Sequence, residues 1–179
     1  MDGTRLIKVS EEIVIHKEVI YRDKFEGNTD IIDKHIKHIL EFDKGRFKTN
    51  VGGYQSNFIT FGFEELIKKG SDMCTSIGIK NKNMEGMWIN INDGNSFNEA
   101  HIHSFVSWSM VYYHKVCCDK CPIVFTHLVP QLVDRFKYEY VPKEGDVILF
   151  SGRQPHSVMA CGNPDHRRIS VAMNFRTWS

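Results

Sequence analysis

The chain has 179 residues, 41% of them hydrophobic and 25% charged, an ordinary balance for one soluble domain with a sizeable core. Its formal charge of +1 gives no electrostatic case for nucleic acid or an acidic membrane surface. The opening "MDGTRLIKVSEEIVIH" lacks the apolar core of a signal peptide, and no stretch approaches a membrane span. The expected setting is therefore cytoplasmic, with the five cysteines read as thiols.

In chain order, "EEIVIHKEVI" (residues 11–20) reads as an opening strand. A helix is predicted over "DIIDKHIKHILEFDKG", where Ile32, Ile36, Ile39 and Leu40 recur at helical spacing after the capping candidates Asn28, Thr29 and Asp30. His35 and His38 fall there at partly exposed positions with no further ligand nearby. The paired glycines of "NVGGYQSN" (50–57) mark a turn or a close backbone approach, and a second helix is expected from Phe63 to Ile79. From about residue 84 short apolar or alternating runs follow: "MWININ", "AHIHSF", "WSMVYYHKV", "PIVFTHL", "FKYEYVP", "DVILF", "HSVMA" and "RRISVAMNF". Turn sequences such as "NDGN", "KEGD" and "SGRQP" separate them. Roughly eight strands at this spacing predict an antiparallel jelly roll or barrel. The expected organisation is a single domain, 1–179, mainly β with flanking helices: an N-terminal strand and helices (1–83) support the core (84–179) from outside.

Two histidines one residue apart, His101 and His103, would face the same way on a strand. His156 follows a turn at the start of a late strand, so three neutral imidazoles can meet at one metal. On the last strand Arg168 and Ser170 alternate onto one face, followed by Ala172 and Asn174. A guanidinium beside a hydroxyl is a clamp for a carboxylate deep in a barrel. Glu99 shares the parity of His101 and His103 and is a reserve ligand.

This order, His-x-His, a gap, His, then Arg-x-Ser, resembles the double-stranded β-helix (cupin-like) core of the 2-oxoglutarate/Fe(II)-dependent oxygenases. It is most similar to a small microbial and phage branch related to prolyl hydroxylases. "GGYQS", "WININ", "NEAHIHSF", "VYYHK" and the final "RRIS…NF" carry the likeness in order over about two-thirds of the chain. The resemblance implies His101, His103 and His156 as catalytic iron ligands. Arg168, with Ser170, would hold the distal carboxylate of the cosubstrate 2-oxoglutarate. Tyr113, with Ser109 on the same strand face, would join them, while Tyr112 turns away into packing. It further implies O2 consumption, substrate hydroxylation, and release of succinate and CO2. Most of the superfamily carries a carboxylate where this chain has His103.

The substrate is unidentified, a small molecule or a protein side chain, with a preference for peptidyl or amino-acid chemistry by fold analogy. A homodimer is allowed, since the similar enzymes often dimerise, although no helix advertises an interface. The alternative reading is a non-enzymatic metal-binding jelly-roll module or phage accessory or structural protein. A three-histidine dioxygenase of cupin type is disfavoured by the Arg-x-Ser pair. "VCCDKCP" offers Cys117, Cys118 and Cys121 as half of a zinc site, with His114 or His127 to close it, but reduced thiols in a turn are the expected state. Cys74 and Cys161 stand isolated. His127 is expected in the barrel wall. "GGYQS" is either a turn into the second helix or a lip that brings Tyr54 or Gln55 to substrate.

Overall fold

The computed structural model describes residues 17–103, 105–116, 119–127, 137–163 and 165–178. A strand β1 (Ile20–Lys24) precedes helix α1 (Thr29–Phe42), the short strands β2 (Asn50–Val51) and β3 (Tyr54–Gln55), and helix α2 (Glu64–Ser76). Then come β4 (Lys82–Asp93), β5 (Phe97–His101), β6 (Trp108–Val116), β7 (Ile123–Thr126), β8 (Lys137–Tyr140), β9 (Asp146–Ser151), β10 (His156–Val158) and β11 (Arg167–Thr177). All pair antiparallel, in a six-stranded sheet ordered β1-β9-β6-β11-β4-β3 and a five-stranded sheet ordered β2-β5-β10-β7-β8. This is the expected jelly roll with flanking helices. Among the described residues no helix is long and apolar enough to cross a membrane.

The wholly apolar "DVILF" run explains how the layers stack. Val147 and Leu149 face the helices, joining Ile32, Ile36 and Ile39 of α1 and Leu66 and Met73 of α2. Ile148 and Phe150 face the other sheet, against Ile123, Phe125 and Tyr140. Each such side chain contributes about 1.5–3 kcal/mol when fully buried, so a strand sandwiched between two layers cannot alternate with polar residues. The α1 N-cap is Asn28, whose Oδ1 accepts from the backbone N–H of Asp30 and Ile31 at 3.0 and 3.4 Å. Leu40 departs from expectation and is 40% exposed, because Ile32, Ile36 and Ile39 already fill the buried stripe. The second helix stops three residues short of Ile79, just before Gly78 turns to φ +90°.

The N-terminal third does more than cover the barrel. Residues 11–16 of the expected opening strand lie outside the described residues, and the strand that forms, Ile20–Lys24, pairs with β9 on the edge of the larger sheet. β2 extends the smaller sheet through β5, and β3 extends the larger through β4. The two glycines of "GGYQS" therefore carry the chain from one sheet to the other. Gly52 takes φ +75°. Gly53 lies so close to β4 that a Cβ there would sit 2.8 Å from the Ile91 carbonyl oxygen. The Asp43 carboxylate braces this crossing, accepting from the N–H of Gly45 at 2.6 Å and of Asn57 at 2.9 Å.

Candidate metal centre

His101, His103 and His156 converge, with their ligand atoms all within 4.8 Å of one another. They reach this point by different means. His156 opens β10 and pairs directly with His101 of β5 on one side and Phe125 of β7 on the other. His103 is not on a strand, contrary to the reading of "AHIHSF" as one run, because β5 ends at His101. It is delivered instead by the chain beyond, where its N–H donates to the Gly152 carbonyl at 2.7 Å. Gly152 is in turn pressed against Val106, whose carbonyl oxygen would lie 2.6 Å from an added Cβ.

The parity argument also fails at Glu99. Between the pairs His156–His101 and Val158–Asn98 the register shifts, so two residues of β5, Glu99 and Ala100, oppose the single Ser157 of β10. This bulge puts Asn98 and His101 on the same face and carries Glu99 outward, where it is exposed. Its backbone serves the site instead: Glu99 O accepts from His101 Nδ1 at 2.7 Å. Gln154 O does the same for His156 Nδ1 at 2.9 Å. Both rings thereby donate Nδ1–H to a fixed carbonyl and leave Nε2 as the lone-pair donor. His103 has a different neighbour, with Nδ1 3.4 Å from Asn174 Nδ2 and Ser109 Oγ donating to Asn174 Oδ1 at 2.8 Å. An amide can present either of its ends to the ring, so this third imidazole is not committed to one tautomer as the other two are.

The histidines form one end of a cavity of about 280 Å³. Along β11, Arg168, Ser170, Ala172 and Asn174 all line it, as do Trp88, Asn90 and Asn92 of β4. Ser170 and Tyr113 are cross-strand partners and both are buried. Arg168 is 2% exposed. Its Nη1 donates to the Cys121 carbonyl at 2.9 Å and its Nη2 to Asn92 Oδ1 at 3.4 Å. Ser109 lines the cavity too, but is tied to Asn174 beside His103 rather than placed next to Arg168. Tyr112 belongs to the helix-covered core, its ring 5.1 Å from Phe25.

Several contributors escaped the sequence reading. Asn92 supports Arg168, and the alternating Asn90 and Asn92 of "WININ" were the signal for two polar side chains facing inward. Arg46 also lines the cavity, its guanidinium 4.0 Å above the Phe58 ring, while Gln55, one of the two residues expected at the lip, does enter it. Tyr54 turns the other way, its hydroxyl donating to the Asp43 carbonyl at 3.4 Å. His114 is unavailable as a zinc ligand beside Cys121, since its Nε2 lies 2.8 Å from Asp33 Oδ1 of α1. His127, just past β7, has Nε2 3.9 Å from a Glu18 carboxylate oxygen and is not among the cavity-lining residues. Cys117 and Cys118 lie outside the described residues.

Burial pushes the imidazoles toward neutrality, and each opposes protonation of its neighbours. His103 is lowered to about 4 by desolvation and by His101, and His156 to about 3 by desolvation and by His101 and His103. In the unfolded chain these rings protonate near 6.5. As pH falls below that value the unfolded state takes up protons that the folded state refuses, so stability is lost. The metal-free protein is expected to show a Tm that falls steadily from pH 6.5 to 4.5 in buffers of constant ionic strength. A flat profile over that range would contradict the assignment of buried, neutral rings.

No family model matches this chain, and no curated protein matches it. Solved structures do. A viral collagen prolyl hydroxylase from Paramecium bursaria Chlorella virus-1, in a 2-oxoglutarate complex, superposes with a TM-score of 0.65 at 13% identity, over 89% of this chain and 96% of that one. HygX from Streptomyces hygroscopicus, with nickel and 2-oxoglutarate bound, gives 0.66 at 9% identity over 89% and 85%. A Trichoplax adhaerens prolyl hydroxylase in complex with a hypoxia inducible factor peptide gives 0.62 at 13% identity over 88% and 83%. The chain has the fold of these 2-oxoglutarate-dependent oxygenases and prolyl hydroxylases.

Proposed function

We propose that this protein is an Fe(II)- and 2-oxoglutarate-dependent dioxygenase that hydroxylates its substrate. The observation that carries the reading is a single cavity holding three convergent imidazoles together with a buried Arg168, Ser170 and Tyr113. The donor set fits the metal: His101 and His156 would each offer a neutral Nε2, and His103 would supply the third nitrogen. Bound iron with 2-oxoglutarate and O2 supplies an oxidant, converting 2-oxoglutarate to succinate and CO2 while one oxygen atom enters a substrate C–H bond. The chain's own part is placement. Arg168 offers a planar fork to the distal carboxylate, Ser170 and Tyr113 offer hydroxyls, and the Phe125 and Phe150 rings pack on His156 and help keep water out. Asn174 and Ser109 hold the ring of His103, which takes the place of the carboxylate usual in the superfamily. A peptidyl or amino-acid substrate is favoured within this reading, supported by the likeness to the peptide-bound hydroxylase.

Anaerobic addition of Fe(II) and 2-oxoglutarate to the metal-free protein tests this. The expected result is a visible metal-to-ligand charge-transfer band that needs both components, followed by succinate formation when O2 is admitted. Metal binding with neither band nor succinate would favour the non-enzymatic jelly-roll module.

A further inference from the structure

A second cluster of ligating side chains lies beside Arg168. Cys121, Cys161 and His166 bring two sulfurs and an imidazole nitrogen within 4.8 Å of one another. Cys121 precedes β7 and is buried, Cys161 sits in the β10–β11 loop, and His166 is 2% exposed at the entry to β11. Forty residues separate the first cysteine from the second, so neither a Cys-x-x-Cys spacing nor any local motif announces the trio.

Main-chain hydrogen bonds hold these three positions together. Met159 N donates to Pro122 O at 3.3 Å, tying the loop to the segment that carries Cys121. Cys161 N and Gly162 N both donate to Gly94 O, at 3.0 and 2.8 Å, and His166 N donates to Asn163 O at 3.0 Å. The loop lies directly on the β4–β5 turn, since a Cβ on Gly94 would collide with the Asn163 carbonyl oxygen. Such a pre-formed cluster needs little reorganisation to accept an ion.

We propose that Cys121, Cys161 and His166 form a second metal site, selective for Zn²⁺, which fastens the β10–β11 loop to the segment before β7 and thereby positions Arg168. Zinc takes Zn–S bonds of about 2.3 Å and Zn–N bonds of about 2.0 Å in a tetrahedron, whose edges fit within the observed ligand spacing. Thiolates favour zinc over the harder ions that oxygen ligands select. Two thiolates also balance the charge of Zn²⁺, so the loaded site places no net charge next to the Arg168 guanidinium. A ligand outside the trio, water in the simplest case, takes the fourth position. The link to Arg168 is direct on both sides: its Nη1 donates to the carbonyl of Cys121 itself, and His166 stands two residues before it on the chain. Cys121, Cys161 and His166 act as positioning residues and do not touch the reaction.

Cobalt distinguishes this site from the three-histidine centre, which has no sulfur. The full chain, reduced and stripped of metal, is titrated with Co²⁺ alone and then with Zn²⁺. One equivalent of Co²⁺ is expected to give an intense near-ultraviolet thiolate-to-cobalt band that Zn²⁺ displaces, whether or not the protein turns over 2-oxoglutarate. In Cys161→Ser the band weakens and the apparent Co²⁺ affinity falls more than about tenfold. That variant also binds 2-oxoglutarate several-fold more weakly, with Fe(II) binding at the histidines unchanged. Absence of the thiolate band in the wild-type protein overturns the site, even if the variant does not fold. So does a Cys121–Cys161 disulfide found by peptide mapping of protein kept without reductant throughout. Equal 2-oxoglutarate affinity in the wild type and the variant overturns the positioning role.

Discussion

Replacing His156 by alanine is expected to abolish 2-oxoglutarate consumption and to weaken Fe(II) binding by more than about 100-fold. Outer-shell partners of a metal site already cost 10- to 100-fold when removed, and His156 would be a ligand itself. It is also the most constrained of the three rings. Its Nδ1 is fixed on Gln154 O at 2.9 Å, the Phe150 ring packs edge-on at 4.8 Å, and it pairs across both β5 and β7. Among the described residues that line the cavity none carries a carboxylate or thiol to replace it, and the nearest carboxylate in sequence to the other two histidines, Glu99, points outward. Iron binding by calorimetry and succinate release measure the loss, with circular dichroism to check that the fold survives. His103→Asp is the informative companion. It places the superfamily's usual carboxylate beside Asn174, and should retain Fe(II) binding and turnover where His156→Ala loses both. Activity in His156→Ala would remove the basis of the three-histidine centre.

Much of the architecture was legible because burial writes itself into periodicity. The sandwiched "DVILF" shows no alternation, and β11 alternates cleanly, so that Arg168, Ser170, Ala172 and Asn174 share the cavity. What was not legible depended on register and on the spatial meeting of distant residues. A single bulge in β5 reverses the parity that had put Glu99 beside the histidines. His103 lies beyond the strand expected to carry it, placed by a backbone bond to Gly152 in the turn between β9 and β10. Cys161 looked isolated because its partners, Cys121 and His166, are brought to it by the β10–β11 loop folding onto Gly94. Gln55 and Tyr54, neighbours in one short strand, go opposite ways, and only the pairing of β3 with β4 decides which enters the cavity.

Arg168→Ala should raise the Kd for 2-oxoglutarate steeply while leaving Fe(II) binding intact. The two groups act at separate places: Arg168 begins the inward face of β11, and Asn174, which meets His103, lies toward its other end. Arg46, Lys48 and Arg168 all line the cavity, and among the described residues no carboxylate does. Such a wall suits a dianion whose far end needs a cation in a desolvated place. Truncating one partner of a buried, hydrogen-bonded charge pair costs about 2–5 kcal/mol, which corresponds to a rise of roughly 30-fold to several-thousand-fold in Kd. Arg168→Lys keeps the charge but loses the planar fork that also reaches the Cys121 carbonyl and Asn92. It should fall between the wild type and alanine. Arg167, exposed on the opposite face of the same strand, provides the control, and Arg167→Ala should bind 2-oxoglutarate as the wild type does. A high concentration of 2-oxoglutarate should then restore turnover in Arg168→Ala toward wild type, because the residue holds the cosubstrate and takes no part in the chemistry at the metal. An unchanged Kd in Arg168→Ala would mean that the buried guanidinium serves the packing of β11 alone, and the cosubstrate assignment would fall with it.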